Sequence, residues 1–228
     1  MKRKIFATAL LIPMLFTKAY ASNNILFEGI LPVMSHAKTQ NIYCDTKTHW
    51  CNFSATRLYE EGIFTGIKIG DNYYFGPEDY ITRGEFLLYL DAVLKAPSAE
   101  DVQLPFKDAF SIPKWQISTV KAMYKKGYVN GIQENSEAYF NHDEKISRLE
   151  CAIILNNILA VAPTSDEAEF YDSYLIPKNL LPAVKNVSNY GLMTGYDDNS
   201  FRPYVKITRA MLADILCRTK DHIQATQK

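Results

Sequence analysis

The chain has 228 residues, 47% of them hydrophobic and 22% charged, a balance that excludes wholesale disorder and a fibrous architecture. Its formal net charge of +0 argues against a nucleic-acid binder driven by bulk electrostatics. Aromatic residues reach 13%, with 15 Tyr, 12 Phe and 2 Trp, which suits a packed core or a surface that stacks on flat or sugar-like ligands.

The amino terminus reads as a secretory signal peptide over residues 1–21. Lys2, Arg3 and Lys4 form a basic start, Ile5 to Phe16 is a short apolar run, and Ala19-Tyr20-Ala21 has the A-x-A form of a cleavage site. An uncleaved anchor is the competing reading, although the run is short for a span. Cleavage leaves 207 residues with 21 basic and 25 acidic side chains, a net of −4. No later stretch offers the roughly 18 apolar residues of a second span. The expected product is exported, with no membrane span after cleavage. Residues 22–40 form a short segment outside the patterned region. Beyond it, Cys44 and Cys51 bracket six residues, a loop expected to close as a disulfide in an oxidising compartment, with reduced or buried thiols as the competing reading. His49 alone does not complete a metal site there.

From residue 41 onward the chain repeats itself three times, over 41–97, 104–163 and 168–224. Each copy opens on aromatic-x-Asp: Tyr43-Cys-Asp45, Phe106-Lys-Asp108 and Phe170-Tyr-Asp172. A first helix follows, carrying Trp50 in copy one and Trp115 in copy two; Asn179 takes the place in copy three. In copy two this helix begins near Pro113 and ends at Gly127. Next comes Gly, two apolar residues, a small polar residue and Gly, at 62–66, 127–131 and 191–195. A polar loop leads to Phe75, Phe140 or Phe201, and eight residues later stands Arg83, Arg148 or Arg209. Those arginines sit in Ile81-Thr-Arg-Gly-Glu85, Ile146-Ser-Arg-Leu-Glu150 and Ile207-Thr-Arg-Ala-Met211. The Thr/Ser-x-x-Glu pattern predicts a capping box at the start of a second helix. Met211 removes half of it in copy three. Linkers at 96–101 and 163–167 separate the copies. A helix–loop–helix of this size buries little core by itself, so the copies are expected to pack together. Cys151 and Cys217 fall in apolar helical patterns and read as buried thiols.

The arginines are the main functional candidates. Each falls at a first helical position, where the helix dipole disfavours a cation by some tenths of a kcal/mol, so each is expected to meet an anion. Two readings stand: an internal bridge to Asp45, Asp108 or Asp172, or a grip on a ligand carboxylate or phosphate, shared with free helix amides. Trp50 and Trp115 are either core residues or sugar-stacking faces. The first glycine of each pair reads as a helix cap. The second, Gly66, Gly131 or Gly195, is expected to line a groove.

Aromatic-x-Asp, the Trp-led helix, Gly-x-x-x-Gly, Phe-x-Pro at Phe75-Gly-Pro77 and Phe201-Arg-Pro203, and Ile-Thr-Arg-x-Glu together resemble the S-layer homology domain, in three tandem copies over about residues 41–224. The resemblance implies a mostly α fold, a pseudo-threefold spindle around a central helical bundle. It also implies non-covalent binding of an anionic, often pyruvylated, cell-wall polysaccharide in inter-repeat grooves. Arg83, Arg148, Arg209, Asp45, Asp108, Asp172, Trp50, Trp115, Gly66, Gly131 and Gly195 are the expected ligand-binding residues, in a protein of the cell wall or cell surface. Copy three departs most from the pattern, so the grooves need not be equivalent.

Enzyme signatures are absent from the sequence: it has no nucleophile elbow, P-loop or zinc-binding helix. Tyr196-Asp-Asp-Asn-Ser200 is only a fragment of a calcium loop, so neither a metal nor a cofactor is expected. Two alternatives to wall binding are a surface-layer assembly protein acting through protein contacts and, more remotely, a cell-wall hydrolase. Residues 22–40 are the expected docking segment for any partner envelope protein.

Overall fold

The computed structural model describes residues 42–159 and 169–226. The expected signal peptide, the 22–40 segment and the 163–167 linker lie outside the described residues. The fold is mostly helical. Repeat one contributes α1 (Asn52–Glu60), a hairpin of β1 (Ile67–Ile69) and β2 (Asn72–Tyr74), and α2 (Arg83–Leu94). Repeat two contributes α3 (Lys114–Lys125), a hairpin of β3 (Ile132–Glu134) and β4 (Glu137–Tyr139), and α4 (Arg148–Leu159). Repeat three contributes α5 (Leu181–Asn189) and α6 (Arg209–Thr226). No helix among the described residues is long and apolar enough to cross a membrane.

Local chemistry sets the helix ends. Thr82 accepts from the Glu85 amide at 3.2 Å while the Glu85 carboxylate accepts from the Thr82 amide at 2.9 Å. Ser147 and Glu150 make the same reciprocal pair. At Thr208 only the hydroxyl half survives, accepting from the Met211 amide at 3.3 Å. Each first helix stops at a glycine in the left-handed region: Gly62, Gly127 and Gly191 have φ of 71°, 73° and 70°.

The polar loops after those helices are more ordered than the sequence suggests. In repeats one and two they fold into antiparallel hairpins, Ile67 opposite Tyr74 and Ile132 opposite Tyr139. Asn135 and Ser136 both have positive φ, the two-residue turn that matches strand twist. Repeat three has three fewer residues between its second glycine and its phenylalanine, and no strand is assigned there among the described residues.

The two helices of one repeat are not each other's main partners. α2 packs on α3, α4 on α5, and α6 returns to pack on α1, while α2 also meets α6. This exchange of partners is cyclic. Backbone hydrogen bonds repeat it: Ile81 donates to Ile207 at 3.0 Å, Ile146 to Ile81 at 3.0 Å, and Ile207 to Ile146 at 2.9 Å. All three isoleucines are buried in one hydrophobic core with Tyr43, Phe64, Phe75, Phe86, Phe140 and Phe201. The return of α6 is reinforced at the surface, where Arg57 donates to Asp221 at 2.9 Å and Lys220 meets Glu61 at 2.7 Å.

Candidate functional site: the seams between repeats

Each second helix begins inside the loop of the next repeat. The Arg83 and Gly84 amides donate to the Glu144 and His142 carbonyls, Arg148 and Leu149 to Val205 and Pro203, and Arg209 and Ala210 to Asp79 and Pro77. The helix-start amides expected to be free for a ligand are therefore occupied. Their partners are carbonyl dipoles from a neighbouring repeat, which satisfy the orphan donors of a helix start.

The guanidinium groups follow the same direction around the ring. Arg148 donates through Nε to the Phe201 carbonyl at 2.7 Å and through Nη2 to the Thr194 carbonyl at 2.7 Å. Its guanidinium lies 4.7 Å from the Phe201 ring centre and 4.9 Å from that of Tyr196. Arg209 donates to the Phe75 carbonyl at 2.6 Å, is 3.5 Å from the Tyr89 hydroxyl, and stacks over Phe75 and Phe64 at 4.9 and 5.0 Å. Arg83 differs. It reaches Glu150 at 3.4 Å and lies 5.7 Å from the Phe140 ring, and its buried Nε has no hydrogen-bond partner among the described residues. Among the described residues, Arg148 and Arg209 have no carboxylate within ion-pair distance. Burial depresses the pKa of both Arg83 and Arg148. Arg83 and Arg148 are 5% and 6% exposed, whereas Arg209 is half-buried.

The aspartates do not bridge to these arginines. Asp45 accepts from the Phe75 and Gly76 amides, Asp108 from Phe140 and Asn141, and Asp172 from Phe201 and Arg202, at 2.7–3.1 Å. Each carboxylate thus clamps the loop that leads into its own second helix. The motif aromatic closes the same unit from the other side. A Cβ on Gly131 would meet the Phe106 ring at 2.8 Å and one on Gly195 the Phe170 ring at 2.7 Å, and the Tyr43 ring covers Gly66 in the same way. The second glycine gives the ring room to lie on the backbone, so that face of the glycine is packed rather than open to a groove.

Repeat three is the exception. Without a hairpin, Gly195 lines a shallow cleft of about 570 Å³ with Glu169, Phe170, Ser188, Thr194, Tyr196 and Asn199. Tyr196 contacts Arg148, so this cleft adjoins a seam arginine. The repeat pattern does not mark Tyr196, because the positions that follow the second glycine in the other copies are Ile67 and Ile132.

Trp50 is 61% exposed and does not belong to the core, while Trp115 is half-buried. The expected disulfide is not formed. Cys51, immediately before α1, is turned into the core with its sulfur 3.1 Å from His49 Nδ1, while the Cys44 sulfur lies 3.3 Å from Asn72 Oδ1. His49 Nε2 in turn meets Glu78 at 2.9 Å. This Cys–His–Glu order has the form of a nucleophile relay, but Cys51 is fully buried and burial pushes its thiol up to about 11, the reverse of activation. Cys151 and Cys217 are buried thiols, as their apolar surroundings in sequence suggest.

Comparison with known proteins agrees with the division into three repeats. A family model described as the S-layer homology domain matches residues 43–87, 105–152 and 169–211. Over 177 residues, 75% of the chain, the sequence is 29% identical to an endoglucanase of Bacillus sp. (strain KSM-635), of which it spans 18%. It is 24% identical over 216 residues to the surface-layer 125 kDa protein of Lysinibacillus sphaericus, covering 93% of this chain and 17% of that protein. It is 31% identical over 107 residues to the S-layer protein EA1 of Bacillus anthracis, covering 47% of this chain and 12% of that one. The chain spans less than a fifth of the length of each of these curated relatives.

Proposed function

The chain belongs to the S-layer homology domain family, and on that premise we propose that it is exported and holds itself non-covalently on a cell envelope. The ligand in this reading is an anionic, pyruvylated wall polysaccharide bound at the seams between repeats. One observation carries it: Arg148 and Arg209 are cations at helix starts whose partners are carbonyls and aromatic faces, with no carboxylate within ion-pair distance among the described residues. Carbonyl dipoles leave a net positive charge, and the planar guanidinium is suited to a carboxylate fork.

The three seams are then unequal. Arg209 is the most accessible, so the seam between repeats three and one is the principal groove. The Arg148 seam adjoins the repeat-three cleft and takes sugar hydroxyls on Tyr196, Thr194 and Asn199. The Arg83 seam, with Glu150 beside its cation, is structural.

The test is sedimentation of the protein with purified wall glycan, before and after removal of its pyruvyl groups. Retention is expected to fall on depyruvylation and with Arg209→Gln, and to survive Glu150→Gln. Retention indifferent to depyruvylation would refute anionic recognition. A second reading, assembly through protein contacts, is favoured by a separate observation: Phe110, Tyr171, Tyr174 and Tyr204 are largely exposed, Phe110 at 90%. It predicts self-association that Arg209→Gln leaves unchanged. We assign the chain no catalysis, and incubation with wall material is expected to release no reducing ends.

A further inference from the structure

The residue before each buried isoleucine of the backbone ring is Tyr80, Lys145 or Lys206. Strand-like bridges fix these three positions around one pole: Tyr80 opposite Thr208, Lys145 opposite Thr82, and Lys206 opposite Ser147. Because side chains alternate along extended backbone, burying Ile81, Ile146 and Ile207 turns their predecessors outward. All three are exposed, Tyr80 at 52%.

Their side chains lie along the ring instead of radiating from it. Lys145 Nζ sits 4.6 Å over the centre of the Tyr80 ring, and Lys206 Nζ donates to the Lys145 carbonyl at 2.6 Å. Each lysine thus leans onto the preceding repeat, in the same sense as the isoleucine hydrogen bonds. Two ammonium groups are held on neighbouring segments. Among the described residues neither has a carboxylate within ion-pair distance, although Glu144 and Asp143 precede Lys145 in the chain. All three ammonium N–H groups of Lys145, two of those of Lys206 and the Tyr80 hydroxyl have no hydrogen-bond partner among the described residues.

We propose that this pole is a binding site for a phosphate-type oxyanion, with Lys145 and Lys206 as its cationic donors and the Tyr80 hydroxyl as a third. Donors on successive segments of a three-segment ring complement an anion that presents three oxygens. The backbone ring beneath them is hydrogen-bonded and buried, so the donors stand on a rigid base. The site is distinct from the seam arginines and does not rest on the wall-glycan reading: a free phosphate and a phosphate ester borne on a glycan share the chemistry it recognises.

The experiment is a titration of the ¹⁵N-labelled protein with inorganic phosphate, followed by amide resonances at low ionic strength. Saturable shifts are expected at Ile81, Ile146 and Ile207. Lys145→Gln and Lys206→Gln are each expected to weaken the dissociation constant by about tenfold. Tyr80→Phe, which keeps the ring beneath Lys145, is expected to weaken it less, and Arg209→Gln to leave it unchanged. The melting temperatures of both lysine variants are expected to match the parent in the absence of phosphate. Shifts confined to the seams, unaltered affinity in the lysine variants, or no saturable shift would each overturn the proposal. So would a lowered melting temperature with unaltered affinity, because the lysines would then only brace the ring. Repeating the comparison with phosphorylated wall glycan separates the sources: weaker glycan binding in the lysine variants assigns an ester-borne anion, and equal glycan binding assigns free phosphate.

Discussion

Replacing Arg148 by alanine separates a seam brace from a purely ligand-facing residue. The guanidinium makes two short hydrogen bonds to carbonyls of the next repeat and lies on two aromatic rings. Hydrogen bonds from a charged donor contribute about 1.5–3 kcal/mol each, and a desolvated cation–π contact up to about 2. Against this stands the desolvation of a nearly buried cation, visible in its lowered pKa. Removing the side chain relieves that desolvation but leaves the Phe201 and Thr194 carbonyls without their donor. The net expected loss is about 3 kcal/mol, a large share of the roughly 5–15 kcal/mol that holds a domain together.

Urea unfolding followed by far-ultraviolet circular dichroism and by tryptophan fluorescence measures this loss, with coincident transitions as the check on two-state behaviour. Arg209→Ala serves as the internal comparison. With one short carbonyl bond and a half-buried side chain, it is expected to lose only about 1–2 kcal/mol. A loss at Arg148 below about 1 kcal/mol, or an inverted order of the two variants, would refute a bracing role and leave a cation held only for ligand.

Asp172→Ala leaves the Phe201 and Arg202 amides without their acceptor and is expected to destabilise by about 2–4 kcal/mol in the same assay. Thr82→Ala breaks a complete capping box and is expected to lose about 1 kcal/mol, against less for Thr208→Ala, where the reciprocal glutamate is missing. Gly66→Ala forces a Cβ into the Tyr43 ring at a left-handed φ of 66°, and its melting temperature is expected to fall measurably. Burial raises the pKa of Asp91, so its protonated form favours the folded state. Stability is therefore greater at and below the ordinary carboxylate pKa of about 3.9 and declines as pH rises toward the folded-state value. Asp91→Asn is expected to flatten that decline; an unchanged pH profile would count against it.

Features written in short-range chemistry were legible in the sequence. Thr82 with Glu85, Ser147 with Glu150 and the stop glycines act within a turn or two of backbone, so their spacing alone is sufficient. The buried thiols were legible because their apolar neighbours share their helices. The role of Asp45, Asp108 and Asp172 was not, because each finds its amides about 30 residues downstream, after a loop whose path the spacing does not describe. The hairpins escaped for a related reason: strands of three residues carry too little alternation to register. Trp50 and Trp115 hold one alignment position but different surroundings, since α3 begins before Trp115 whereas α1 begins after Trp50. Helix onset shifts by several residues between copies, and exposure shifts with it.

Cyclic packing explains why an arginine recurs at a site where the helix dipole opposes it. The first-position side chains of α4 and α6 project into the neighbouring repeat, where the carbonyls of Phe201 and Phe75 accept from Arg148 and Arg209. A guanidinium supplies several donors in one plane, filling carbonyls while its faces pack on aromatic rings. Lysine has neither the plane nor the reach to do both. Among the described residues no carboxylate lies within ion-pair distance of Arg148 or Arg209, and under the proposed function the wall anion they meet binds only the closed arrangement. Such an anion, at free concentration c, therefore stabilises the ring by RT ln(1 + c/Kd), growing with the logarithm of its concentration above Kd. Under the proposed function, brace and ligand site are one residue viewed in two equilibria, and a rise in unfolding midpoint with added wall glycan, lost in Arg209→Gln, is the expected measure of the coupling.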